Sequence, residues 1–134
     1  DTNMALSGIN KKALEKLGAQ AVCFMADTDI AEKASADGTT RAAASIDKAV
    51  QITGRPLIFV SGNAPTFLIR LYEHIQAGFT PALVIAMPVG FVNVEHSKEL
   101  IASSGVPFIA AMGRKGGSNI AAAAVNALMY RLVR

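Results

Sequence analysis

Leu57-Ile58-Phe59-Val60, Ala82-Leu83-Val84-Ile85-Ala86 and Val106-Pro107-Phe108-Ile109-Ala110 are short apolar runs that recur at a spacing of roughly 25 residues. Each empties into turn-forming residues that open a helical pattern: Gly62-Asn63-Ala64-Pro65-Thr66, Pro88-Val89-Gly90-Phe91-Val92-Asn93 and Gly113-Arg114-Lys115-Gly116-Gly117-Ser118. Continuous aliphatic runs alternating with helices predict parallel strands buried on both faces. In such a sheet the loops share one edge, where open α/β folds bind ligands.

Helical patterns fill the rest of the chain. A helix is expected from about Asn10 to Leu17, with Ala13, Leu14 and Leu17 on one face and Gly18 as its stop. Ala21-Val22-Cys23-Phe24-Met25 reads as a further strand. Asp27-Thr28-Asp29 complements a helix N-terminus, and Ile30 to Ala36 closes at Gly38. Thr39 or Thr40 caps the next helix, which runs to about Ile52 before Gly54-Arg55-Pro56. In the repeating units, Asn63 is the expected cap with Pro65 in the first turn, followed by Phe67, Leu68, Leu71 and Ile75 at helical spacing and Gly78 as terminator. Asn93 caps the second helix, in which the polar stretch Glu95 to Glu99 precedes inward-facing Leu100 and Ile101. Ser118 caps the third, with Val125, Leu128 and Leu132 on one side. Right-handed crossovers place these helices on the sheet faces. The expectation is a single α/β domain over residues 1–134, a three-layer sandwich with a mostly parallel sheet and helices on both faces.

Composition narrows the function classes. Hydrophobic residues make up 51% of 134, yet no apolar stretch is long enough to span a bilayer. The Ala121-Ala122-Ala123-Ala124 run marks close helix approach, for which a dimer contact is one explanation. A net charge of +3 is too small for a nucleic-acid footprint, and the basic groups do not cluster with aromatics. A polyanionic small molecule fits the excess better. Cys23, the only cysteine, reads as a core thiol, so no disulfide framework exists and a reducing cytoplasm is expected. The start Asp1-Thr2-Asn3-Met4 has neither the basic nor the apolar region of a signal peptide and reads as the middle of something longer.

Gly113-Arg114-Lys115-Gly116-Gly117-Ser118 is the strongest anion-binding candidate. Its glycines let backbone N–H groups converge, the following helix presents its positive end, and two cations add full charge. It has neither the Walker spacing nor Gly-x-Gly-x-x-Gly. Gly62-Asn63-Ala64-Pro65-Thr66 offers a polar cap and a hydroxyl, whereas Pro88-Val89-Gly90-Phe91 suits a wall against a flat apolar ligand. Arg41, after Thr39-Thr40, is a cation at a helix N-terminus, a mismatch with the dipole that points to service of a ligand or partner. His74 and His96 read as surface or capping residues, no group has metal-ligand spacing, and no Gly-x-Ser-x-Gly elbow occurs.

These loops, with Ser97-Lys98-Glu99 and the helix Ala121-Ala122-Ala123-Ala124-Val125-Asn126-Ala127-Leu128, closely resemble the precorrin-8X methylmutase (cobalt-precorrin-8 methylmutase) family. Asp1-Thr2-Asn3-Met4 with Gly8-Ile9, and Thr40-Arg41, resemble that family's middle region. The resemblance implies an α/β homodimer that moves a methyl group from C-11 to C-12 of a tetrapyrrole in cobalamin biosynthesis, yielding hydrogenobyrinate or cobyrinate without a cofactor. It implies substrate contacts from Arg41, Thr40, Asn63, Thr66, Gly90, Arg114, Gly116, Gly117 and Ser118. The family's proton-donating histidine lies in an N-terminal third that precedes Asp1, so no residue here takes the catalytic role, and an exposed sheet edge or apolar face is expected. A corrinoid-binding module without catalysis, and a flavodoxin-like nucleotide-binding enzyme, are the alternatives.

Overall fold

The computed structural model describes residues 2–24, 27–52 and 54–132. Helices α1 (Thr2–Gly8), α2 (Lys11–Leu17), α3 (Thr28–Asp37) and α4 (Arg41–Ala49) precede β1 (Ile58–Ser61). Then come α5 (Pro65–Gln76), β2 (Leu83–Ala86), α6 (Val94–Ala102), β3 (Phe108–Ala110) and α7 (Ser118–Leu132). The strands form a parallel sheet in the order β1-β2-β3, pairing Phe59 with Val84 and Ile85 with Ile109.

Central strand β2 is covered on both sides. Val84 and Ala86 join Phe59, Phe67, Leu68, Leu71 and Ile101 in a core beneath α4, α5 and α6. Ile85 and Met87 pack against Ala121 of α7 on the opposite face. The Phe59 ring meets Phe67 and Phe79 edge-on, with centroids 6.3 and 5.7 Å away. This is the predicted three-layer arrangement. Edge strand β1 departs from it, because Ile58 is 55% exposed. It borders an apolar cleft of about 820 Å³ whose walls include Ile9, Leu17, Ile58, Val60, Leu128 and Leu132.

The first half of the α7 alanine run is buried inside the chain, whereas Ala123 is exposed. Ala121 is buried against the sheet, and a Cβ on Gly8 would lie 2.7 Å from Ala122 Cβ. Asn126 locks this approach: its Nδ2 donates to Gly8 O at 2.9 Å, and its Oδ1 accepts from Asn10 N at 2.8 Å.

Local chemistry accounts for the boundaries. Asn10 caps α2 by accepting from Ala13 N at 3.1 Å, and Gly18 and Gly38 close α2 and α3 in the left-handed region. Of Thr39 and Thr40, it is Thr40 that caps α4. Four expectations are corrected. Residues 21–24 form no strand, and Met25 lies outside the described residues; Ala21 packs on the cluster of Ile9, Ala13, Ala122 and Met129, and Phe24 on Ile30 and Ala34, so the run's apolarity serves helices. Helix α4 ends at Ala49, short of Ile52. The cap of α5 is Ala64 and not Asn63, because Pro65 at the first position forces the preceding residue into the extended region, at φ −100 and ψ 110. Ser118 is already in the first turn of α7, whose first carbonyl acceptor is Gly117, bonded by Ala121 N at 3.0 Å.

Candidate functional site

The loops after the strands meet at one edge of the sheet because glycines let their backbones touch. A Cβ at Gly62 would lie 2.6 Å from Ser118 Cα, which ties the 62–66 loop to the start of α7. A Cβ at Gly116 would strike the Met87 carbonyl and lie 2.7 Å from Pro88 O. Gly117 N donates to Met87 O at 2.7 Å, and Gly90 N donates to Arg114 O at 3.1 Å. The expected convergence is therefore present, and the Gly117 N–H is spent in making it.

Arg114 is engaged within this edge. Its Nε donates to Glu95 Oε1 at 3.0 Å, and its guanidinium carbon lies 5.1 Å from the centroid of Phe91. Phe91 and Val92 are 80% and 78% exposed, forming an apolar ledge beside the charge. Asn93 begins α6 in the left-handed region at φ 61 without a side-chain cap. Thr40 and Thr66 come together in a shallow groove of about 210 Å³ with Ala43, Ile69, Arg70 and Glu73. Thr40 Oγ1 accepts from Ala43 N at 3.1 Å. The Arg41 and Asn63 side chains are exposed, and neither is among the residues that line that groove.

The histidines divide. His74 Nε2 sits 2.6 Å from Asp47 Oδ1, joining α5 to α4 with Arg70 Nε 3.6 Å from the same oxygen, while His96 is exposed. Cys23 is free and half-buried among the residues lining the apolar cleft. No group of three metal-ligating side chains gathers among the described residues.

The sequence reading missed Lys98. Expected in a polar stretch, it is fully buried, because α6 turns Val94, Ser97, Lys98 and Ile101 inward. Its Nζ donates to Ala111 O at 2.5 Å, Lys115 O at 2.7 Å and Gly113 O at 3.0 Å, which uses all its protons. Burial pushes its pKa below the usual value, and the Glu95 carboxylate works weakly the other way. The signal was the i, i+3, i+4, i+7 spacing of those inward residues.

The precorrin-8X methylmutase family profile matches residues 1–131. The chain is 48% identical to the cobalt-precorrin-8 methylmutase of Salmonella typhimurium, an alignment covering 98% of this chain and 61% of that protein. It is 42% identical to the cobalt-precorrin-8 methylmutase of Leptospira interrogans, covering 96% and 62%. The precorrin-8X methylmutase structure from Thermus thermophilus superposes with a TM-score of 0.83 at 38% identity, covering 95% of this chain and 62% of that one. The chain thus spans about three-fifths of the length of these relatives. With sequence, fold and loop motifs agreeing over nearly its whole length, the chain belongs to the precorrin-8X methylmutase family.

Proposed function

We propose that this chain supplies the substrate-holding part of an isomerase that moves a methyl group from C-11 to C-12 of precorrin-8X or its cobalt form. The observation that carries the reading is the Phe91–Val92 ledge with Arg114 against it and the glycine-rich 113–118 loop behind. An apolar ledge suits the face of a macrocycle, and cations with backbone donors suit its acetate and propionate fringe. Arg41, Thr40, Asn63, Thr66, Gly90, Arg114, Gly116, Gly117 and Ser118 are the proposed contacts. Their task is to orient the ring so that one proton transfer promotes methyl migration. No residue of this chain is assigned the acid.

The acid comes, in this proposal, from a segment N-terminal to Asp1, and residues 1–134 form one α/β domain that this segment completes. The exposed β1 edge and the apolar cleft beside it support the idea, since unpaired strand edges and large apolar faces are normally covered. The enzyme is proposed to act as a homodimer in the cytoplasm; no helix among the described residues is long and apolar enough to cross a membrane.

The decisive experiment compares the 134-residue chain with an N-terminally extended form for conversion of precorrin-8X, followed by absorbance. Turnover is expected only in the extended form. Equal turnover in the short form would falsify the assignment of the acid. Retained corrinoid colour without conversion in both forms would instead favour a binding module.

A further inference from the structure

Lys98 is a buried ammonium with no carboxylate in hydrogen-bond contact, surrounded by the carbonyls of Ala111, Gly113 and Lys115. Alternate carbonyls of one loop therefore point at a single cation. Because a trans peptide directs its C=O and N–H oppositely, the same alignment turns the N–H groups of Met112, Arg114 and Gly116 away from Lys98. None of those three N–H groups is given to a backbone carbonyl elsewhere among the described residues. A cation inside the loop thus produces a row of donors on its other side. The contact to Lys115 O also fixes the peptide before Gly116, where the loop touches Met87 and Pro88.

We propose that Lys98 is a positioning residue that holds the 113–118 loop with its backbone donors turned outward, making that loop a receptor for a carboxylate of the bound ligand. Lys98 touches no ligand itself. Its three bonds set the peptide orientations before binding, so the loop meets the anion already organised. The inference rests on the tetrapyrrole reading above for the ligand's identity, and on the carbonyl ring alone for the loop's form.

The test uses the full-length protein, wild type and Lys98→Met, titrated with cobyrinate and with cobinamide, the same ring with its carboxylates amidated. Lys98→Met keeps the length and apolar stem of the side chain but removes the donors. It is expected to weaken cobyrinate binding about tenfold or more while leaving cobinamide within about twofold of wild type. Amide exchange at Met112, Arg114 and Gly116 is expected to change in the same variant without ligand. Equal cobyrinate affinity in variant and wild type, or equal loss for both ligands, overturns the proposal. Failure of wild type to bind either corrinoid overturns the tetrapyrrole reading instead, and the amide-exchange comparison then decides the role of Lys98. Should Lys98→Met fail to fold, backbone NMR of wild type during cobyrinate titration decides. Shifts centred on the Met112, Arg114 and Gly116 amides support the proposal, and unmoved amides there refute it.

Discussion

Arg114 is held by a ring and a carboxylate at once, so its guanidinium is ordered before any ligand arrives. Glu95 nonetheless competes for the charge a substrate carboxylate would use. Glu95→Gln is therefore expected to tighten cobyrinate binding severalfold and to steepen its salt dependence, measured by titration at two ionic strengths. Arg41 is an exposed cation at the start of α4. Arg41→Ala should weaken binding about tenfold with the melting temperature unchanged, since a cation there gains nothing from the helix dipole. Unaltered affinity would remove it from the site. Gly116→Ala has the opposite profile. Its new methyl would press on the Met87–Pro88 backbone, so a loss of about 3 kcal/mol or more in denaturant unfolding is expected along with lost binding.

At the level of elements, α3 and α4 are clasped by Lys48, whose Nζ lies 3.0 Å from Asp27 Oδ2 and 3.1 Å from Asp29 Oδ2, and 4.5 Å from the Phe24 ring centroid. The hydrogen bond from Lys48 holds the Asp29 carboxyl below its usual 3.8, and both aspartates raise Lys48 above its usual 10.5. A depressed carboxyl binds more protons when unfolded, so its contribution is present above about pH 3.8 and fades as acid takes the pH through the native value. The raised ammonium contributes below pH 10.5 and loses its share in stronger alkali. The urea midpoints of wild type and Lys48→Met should therefore differ slightly at pH 7 and draw together as the pH falls below 3.8. A gap that persists in acid would mean that the lysine acts through its stem against Phe24. The strands, α2, α3 and the convergence of the loops were legible because aliphatic runs, caps and glycine stops are local signals. Residues 21–24 misled because an apolar run has the same appearance whether it meets a strand or a groove between helices. Lys98 was placed in the polar stretch from Glu95 to Glu99 because its charge outweighed the inward spacing of its neighbours, although that spacing placed it correctly.

For the whole molecule, the cleft beside β1 predicts how the chain behaves by itself. Ile58 and Leu132, 55% and 73% exposed, contribute apolar surface to a cavity of about 820 Å³. The 134-residue chain should bind an apolar fluorescent dye and associate beyond a dimer, whereas the N-terminally extended form should show neither. Dye emission and sedimentation measure this, and equal dye binding by both forms would place the covering element elsewhere. The sequence pointed to such a face through the family resemblance alone, for periodicity describes which residues want burial and not whether their partner is in the same chain.

The Asn126 latch has a temporal side. Its bonds to Gly8 and Asn10 join positions 118 and 116 residues apart, and Asn10 Nδ2 also donates to Tyr130 at 3.1 Å. During synthesis α1 emerges before every other described element and waits for α7, which emerges last. A helix of seven residues has little stability without a partner, so this turn is made early and docked late. The same clasp leaves α1 open to proteolysis on the ribosome until α7 has been made.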